Sequence, residues 1–371
     1  MNSFLPFDEV FRDESGGNIK TLQADYLREG KVPIVDQGKE LIGGYTDDES
    51  RVCKAELPVI VFGDHTKCLK FIDFPFAMGA DGVKVLRPKI NADQKYLYYA
   101  LKSLRITDAG YSRHFKYLRR NDIPLPPLEE QRRIAEVLDR ADALRQKRRL
   151  TTQKLDTLLQ SVFLDMFGDP VKNPRGWEKV PFDDVCKTHL GKMLDKKKFT
   201  GKNLRPYLKN ANVQWNRFDL TDIDQMDFDE RERELLRLQA GDLLICEGGE
   251  VGRAAIWRDE LSECYYQKAL HKGHPDHSRT TSEYLMFLLW FYSKNGGFKD
   301  FVTSATIAHL TGEKLKSIQI PMPPLAGQKK FSEIVLEHER IKSKYSKLTS
   351  ETNVFFSALQ HRAFNGELFS E

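Results

Sequence analysis

The chain has 371 residues, 40% apolar and 30% charged, a length that suits two domains of about 150 residues with real cores. It contains no run of about 18 apolar residues that would span a membrane. Its acidic start, MNSFLPFDEVFRDESGG, lacks the marks of a secretory leader, and its five scattered cysteines form no CxxC pair, which argues against a disulfide framework or a zinc site. These features predict a cytoplasmic protein, and a net charge of +4 from 58 basic and 54 acidic residues permits a polyanionic partner without requiring one.

In chain order, PFDEV (Pro6–Val10) opens a mixed segment with strand-like runs at Leu57–Gly63 and Gly82–Pro88, followed by a short helix over Tyr96–Leu104. Next comes the basic-aromatic string SRHFKYLRR (Ser112–Arg120), then IPLPPLEEQ (Ile123–Gln131). Pro126 and Pro127 break the preceding structure, and Glu129 and Glu130 suit the positive end of a helix dipole. A long periodic stretch runs from Glu129 to Phe167, a helix of about 58 Å at about 1.5 Å per residue, closed by Gly168 and Pro170.

The order then repeats. PFDDV (Pro181–Val185) returns PFDEV at an offset of 175 residues, EYLMFLLWFY (Glu283–Tyr292) returns KYLYYALKSL (Lys95–Leu104) at 188, and IPMPPLAGQ (Ile320–Gln328) returns the hinge at 197. Three ordered anchors with rising offsets point to one ancestral unit, duplicated, whose second copy gained insertions. The second copy carries a strand-like run at Asp242–Gly249, a helix over Tyr284–Lys294, and a second long helix ended by Asn365-Gly366.

A 4-3 spacing of apolar positions predicts a helix-helix seam. In the first helix it reads Val137, Ala141, Leu144, Arg148, Thr151, Leu155, Leu158 and Val162; in the second, Ile334, His338, Ile341, Tyr345, Leu348, Thr352, Phe355 and Leu359. The seam is apolar at its ends and polar at its centre, where the polar residues either line a wet interface or set the register. A lone helix of this length with a half-polar stripe is unstable, so the two copies are expected to pack on each other. The expected fold is α+β: two globular domains tied to two long helices in an internal pseudo-twofold repeat. The expected boundaries are 1–124 and 169–321 for the domains, and 125–168 and 322–371 for the hinges with their helices.

Catalytic signatures are missing. The sequence contains no GxGxxG, no P-loop, no HExxH and no Asp/Asn-Pro-Pro-Tyr/Phe tetrapeptide of adenine methylation. His271, His274 and His277 have a spacing that would allow a metal site, but a loop with Gly273 and Pro275 favours solvated side chains. Glu247 and Glu250 read as the acidic flanks of a glycine-rich turn. What remains suits phosphates and base edges. Arg113, Lys116, Arg119 and Arg120 interleave with His114, Phe115 and Tyr117. KKKFTGKNLRPYLKNANVQW (Lys196–Trp215) supplies Lys196, Lys197, Lys198, Lys202, Lys209 and Arg205, with the amides Asn203, Asn210, Asn212 and Gln214.

The doubled hinge, each copy opening a long helix, resembles the specificity subunit of type I restriction-modification enzymes. Val59–Pro88, Gly241–Trp257 and Ser304–Pro324 look like parts of that family's two target-recognition domains. One departure is Ala326-Gly327 in the second hinge where the first has Glu129-Glu130. The resemblance implies a non-catalytic subunit without a cofactor of its own, reading a bipartite, asymmetric target in double-stranded DNA. The implied partners are two modification (methyltransferase) subunits and two restriction (ATP-dependent translocase-nuclease) subunits. The expected antiparallel coiled coil sets the distance between the recognition domains. The candidate DNA contacts are Gln37, Lys39, Arg113, His114, Lys116, Tyr117 and Arg119 in the first copy and Lys196, Lys197, Lys198, Lys202, Arg205, Asn210, Asn212, Ser304 and Thr306 in the second. The alternatives at this level are a related system whose partner both methylates and cuts, an enzyme acting alone, and a coiled-coil scaffold without sequence preference.

Overall fold

The computed structural model describes residues 3–106, 110, 112–194, 200–301 and 309–369. The chain divides into two compact units, Met1–Leu150 with Ser346–Glu371, and Thr151–Tyr345. Four helices matter below: α1 (Gln94–Ser103), α2 (Leu128–Phe167), α3 (Ser282–Lys294) and α4 (Leu325–Phe364).

In the first unit, Ser3–Pro6 pairs antiparallel with Asp122–Leu125, so the strand before the PFDEV turn lies beside the strand leading to the hinge. A four-stranded antiparallel sheet has the spatial order Phe11–Asp13, Val83–Pro88, Val59–Gly63, Leu69–Ile72. Its centre, VIVFG, is buried on both faces, as expected of a β-branched and aromatic run covered from two sides. A second sheet orders Lys20–Thr21, Ala77–Gly79, Val32–Val35 and Gly44–Thr46, with parallel pairing on both sides of Ala77–Gly79.

The second unit repeats this plan. Lys179–Pro181 pairs antiparallel with Gln319–Pro321. The main sheet orders Cys186–Leu190, Leu270–Pro275, Leu243–Cys246, Ala254–Ile256, again first, last, middle and following strand. In the smaller sheet Leu204–Leu208 lies between antiparallel Asp224–Asp227 and parallel Tyr265–Tyr266. An added hairpin, Val213–Gln214 with Arg217–Phe218, turns through Asn216 at φ +52°. The main sheet keeps its order in both copies, while the smaller sheet has three strands in the second unit where the first has four, and the second unit adds the hairpin.

Each domain helix is buried almost all round, as a helix inside a core must be: Tyr96 to Leu101 in α1, Ser282 to Leu289 in α3. Asp93 caps α1 by accepting from the Tyr96 amide, and Thr281 caps α3 by accepting from that of Tyr284. α2 ends where the amide of Gly168, at φ +78°, donates to the Leu164 carbonyl.

Within the first unit, the early part of α2 lies against the late part of α4, and partner numbers fall along one as they rise along the other. Arg133 stacks on Phe369, Arg145 on Phe356, and the Arg148 guanidinium donates to the Leu348 carbonyl and the Thr352 hydroxyl. Ile134, Leu138, Phe356 and Ala363 join the core built on Phe7, Tyr96 and Ile123. The second unit has the same sense: His338 Nε2 lies 2.6 Å from the Leu155 carbonyl, and Phe163 and Phe167 meet Phe331 edge-on. There Leu159, Phe163, Phe167, Phe331 and Val335 join the core of Phe182, Tyr284 and Ile320.

The buried line on these helices differs from the expected 4-3 seam. Leu144, Leu158 and Phe355 are 48, 47 and 59% exposed. Val137, Ala141, Leu155, Val162, Ile334, Ile341, Tyr345, Leu348 and Leu359 are half-buried. Beside the domains the most buried positions fall one residue later, at Leu138, Asp142, Leu159, Phe163, Val335 and Phe356, whereas nearer the middle His338 and Thr352 are buried on the expected seam itself. One residue is about 100° of helix rotation. The cause is the domain itself, which packs beside the partner helix and draws the centre of the covered arc toward it.

Candidate nucleic-acid interface

In the first unit, Arg113 and Lys116 project from the segment that contains the short helix Phe115–Leu118, and both are exposed. Lys116 Nζ sits 4.9 Å above the half-buried Tyr117 ring, and the Arg120 guanidinium 5.4 Å from it, so the ring holds two cations at one surface point. Arg119 is tied to Asp8 by two hydrogen bonds of 2.8 and 2.7 Å, which hold the Asp8 carboxyl below its usual range. His114 differs from its expected role. It is buried, its Nδ1 lies 3.0 Å from the Asp64 carbonyl oxygen, and the next amide, Phe115, donates to the Asp64 carboxylate at 2.7 Å. This imidazole fastens the basic segment to the sheet and faces away from solvent.

Gln37 is likewise a framework residue. Its side-chain oxygen accepts from the His65 amide at 3.2 Å and its carbonyl from the Thr66 hydroxyl at 2.5 Å. A Cβ at Gly82 would meet its side-chain oxygen at 2.9 Å, and one at Gly63 its Cβ at 2.9 Å, so glycine at both places makes room for Gln37. Lys39 is exposed, at the rim of a groove of about 610 Å³. The groove also holds Lys70, Lys95, Lys102, Arg145 and Arg149 over an aromatic floor that includes Phe71 and Tyr98. Lys95 pairs with Asp139 at 2.7 Å, and Lys102 and Arg145 converge on buried Asp142 at 3.6 and 2.5 Å. Burial pushes the Lys70 and Lys102 ammoniums down. Sequence reading passed over these cations, though Lys95 and Lys102 lie seven apart and Arg145 and Arg149 four apart, spacings that share a helix face.

In the second unit, Lys196, Lys197, Lys198, Ser304 and Thr306 lie outside the described residues. Lys202 is exposed on a loop gathered by Asp227, whose carboxylate accepts from the amides of Asn203, Gly201 and Thr200. Those donors, Asn203 first, pull the Asp227 carboxyl down to about 2. Arg205 is half-buried with Nε 3.2 Å from Glu263. Asn210 donates to the Gly248 carbonyl at 3.1 Å, which joins this segment to the glycine-rich turn of Glu247–Arg253.

Asn212 differs from expectation in the same way as His114. It is buried, donates to the carbonyls of Asp219 and Asp222 at 2.8 and 3.0 Å, and accepts from the Lys209 amide at 2.8 Å. Both donor hydrogens are spent on backbone, so no amide edge is left for a base.

No group of metal-ligating side chains occurs among the described residues. His274 Nδ1 lies 2.7 Å from the Asp242 carboxylate, and His271 is buried, its imidazole pushed down to about 4 by burial. Glu250 pairs with Lys294 at 2.5 Å. All five cysteines are free, four of them buried, and burial pushes the Cys246 thiol up to about 11.

The geometry therefore consists of two like-built units, each with a mixed sheet core, each presenting unlike basic loops, and each mounted on two long helices. The family of type I restriction modification DNA specificity domains matches residues 8–159 and again 174–350, one copy per half of the chain. The chain belongs to this family. A type I restriction enzyme specificity subunit of Escherichia coli is 27% identical over 154 residues, 38% of each chain, so the match spans well under two thirds of that relative. A putative type I specificity subunit of Haemophilus influenzae is 23% identical over 352 residues, covering 91% of this chain and 87% of the relative. Among solved structures, the type I restriction-modification S subunit from M. genitalium superposes with a TM-score of 0.62 at 16% identity, covering 98% of this chain and 96% of the other. That likeness extends the shared fold across both specificity domains.

Proposed function

We propose that this chain is the non-catalytic specificity subunit of a type I restriction-modification complex. It reads a bipartite, asymmetric sequence in double-stranded DNA, one half-site per recognition domain, with the domains at 1–124 and 169–321. Two modification subunits carry out adenine methylation, and two ATP-dependent restriction subunits complete the nuclease. The observation that carries this reading is the repetition of one main-sheet order and one helix mount under loops of different sequence. Like frames with unlike surfaces suit a target whose two halves differ.

In this reading α2 and α4 form one antiparallel coiled coil that holds the domains apart. The unread spacer then has a fixed length, near one duplex turn of about 34 Å. Phosphate contacts fall to the exposed cations Lys39, Arg113, Lys116 and Lys202, and by their charge to Lys196, Lys197 and Lys198. Ser304 and Thr306 belong to the same DNA-facing set, while His114 and Asn212 serve the frame. The modification subunits dock on apolar side chains the helices leave in solvent: Leu158 and Leu164 on α2, Val354 and Phe355 on α4. Leu158 and Phe355 hold the same place in the repeat.

Methylation mapping of genomic DNA with and without this gene tests the proposal. One split, adenine-containing motif is expected to vanish in its absence, and replacing residues 1–124 with another recognition domain should alter one half-site only. An unchanged methylation map, or a swap that alters both half-sites, refutes it.

A further inference from the structure

The hinge string PxPPLxxQ ends in a glutamine that the sequence leaves without a task. In the structure Gln131 is buried at the first turn of α2. Its Nε2 donates to the Pro126 carbonyl at 2.8 Å, and its Oε1 accepts from the amide of Asp93, the capping residue of α1, at 2.9 Å. Gln328 does the same on α4. Its Nε2 donates to the Pro323 carbonyl at 2.8 Å, and its Oε1 accepts from the Thr281 amide and the Thr280 hydroxyl at 3.2 and 2.9 Å. The capping residue differs between copies, as do the neighbours Glu129-Glu130 and Ala326-Gly327, yet the amide bridge is the same. A primary amide donates from its nitrogen and accepts at its oxygen, so one side chain serves both partners.

Eleven residues further along each long helix stands a carboxylate, Asp142 on α2 and Glu339 on α4, at equivalent places in the repeat. Asp142 is buried beside Lys102 of α1. Glu339 takes Arg258 at 3.1 Å and the Asn216 amide at 3.1 Å, both from its own domain. The two attachment points are about 16 Å apart along the helix. The apolar core shared between helix and domain holds them together without direction, and the two directional polar contacts at either end of it resist a change of tilt.

We infer that Gln131 with Asp142, and Gln328 with Glu339, are positioning residues that set the angle of each recognition domain on its long helices, and through it the spacer length the subunit accepts. The inference rests on the proposed function. It assigns spacing discrimination to residues that touch no DNA.

The full chain, assembled with its methyltransferase subunits, is tested on duplexes carrying the wild-type motif with the native spacer or one base pair more or less. Thermal midpoints are measured alongside. Gln131→Leu and Gln328→Leu are each expected to lower discrimination against the wrong spacers about tenfold, the scale of one mismatched base pair, while base preference inside each half-site stays. Val85→Ala, in the sheet core of the first unit, is the control for simple destabilisation: it lowers the midpoint and leaves the spacer ratio alone. If Gln131→Leu does not fold, Asp142→Asn carries the same readout. A spacer ratio equal to wild type in the folded variants overturns the inference. A wild-type chain that directs no split motif overturns the proposed function and this inference with it.

Discussion

Truncating Phe163 to alanine tests where the helices are truly buried. The ring is fully enclosed. It stacks on Phe291 at 5.0 Å, Tyr284 at 5.6 Å and Phe287 at 6.1 Å, and meets Phe167 and Phe331 edge-on at 5.1 and 5.4 Å. A buried Phe→Ala change costs about 3–5 kcal/mol, and five ring partners place this one near the upper end. Leu158, on the expected seam but 47% exposed, has about half of a side-chain burial worth about 2 kcal/mol to lose, so Leu158→Ala should cost about 1 kcal/mol or less. All four tryptophans, Trp177, Trp215, Trp257 and Trp290, fall in the unit Thr151–Tyr345, so indole fluorescence follows that unit alone. With a urea m-value of about 2 kcal/mol/M, Phe163→Ala moves the midpoint down by about 2 M and Leu158→Ala by less than about 0.5 M. Equal shifts for the two variants would restore the 4-3 seam and refute the displaced one.

Three further outcomes are expected. His271 is neutral and buried, with its imidazole pushed down to about 4. Stability is therefore full above about pH 6.5 and falls as the unfolded chain takes up a proton that the fold refuses, by on the order of 3 kcal/mol once pH reaches about 4. His271→Gln should flatten this part of the urea-midpoint profile between pH 7 and 4. Arg113→Ala, Lys116→Ala and Lys202→Ala should each reduce the slope of log affinity against log salt by about 0.9, measured by fluorescence anisotropy on target and non-target duplexes, and an unchanged slope would take that cation out of the interface. Asn212→Ala strands the Lys209 amide and the Asp219 and Asp222 carbonyls. It should cost about 3 kcal/mol in the urea assay and leave the methylated motif unchanged; a changed motif in folded protein would return Asn212 to base reading.

The amino-acid sequence by itself determined the repeat, the hinge positions and the strand runs, because these are written in local periodicity, in proline's missing donor and in plain recurrence. Pro6–Val10 and Pro181–Val185 announced two like units, and the structure gives both the same main-sheet order. Only the tertiary structure decided which way individual side chains face. A heptad pattern fixes a period, but the covered arc is set by everything packed on the helix: beside each domain it moves by one residue, while His338 and Thr352 stay buried on the seam. A histidine or asparagine among lysines reads alike in sequence whether it faces a phosphate or a backbone carbonyl, so His114 and Asn212 looked like contacts and are frame. The hinge glutamines recur visibly at Gln131 and Gln328, yet their task needs the partners Asp93 and Thr281. Those lie 38 and 47 residues away along the chain and are brought within hydrogen-bonding reach only by the fold.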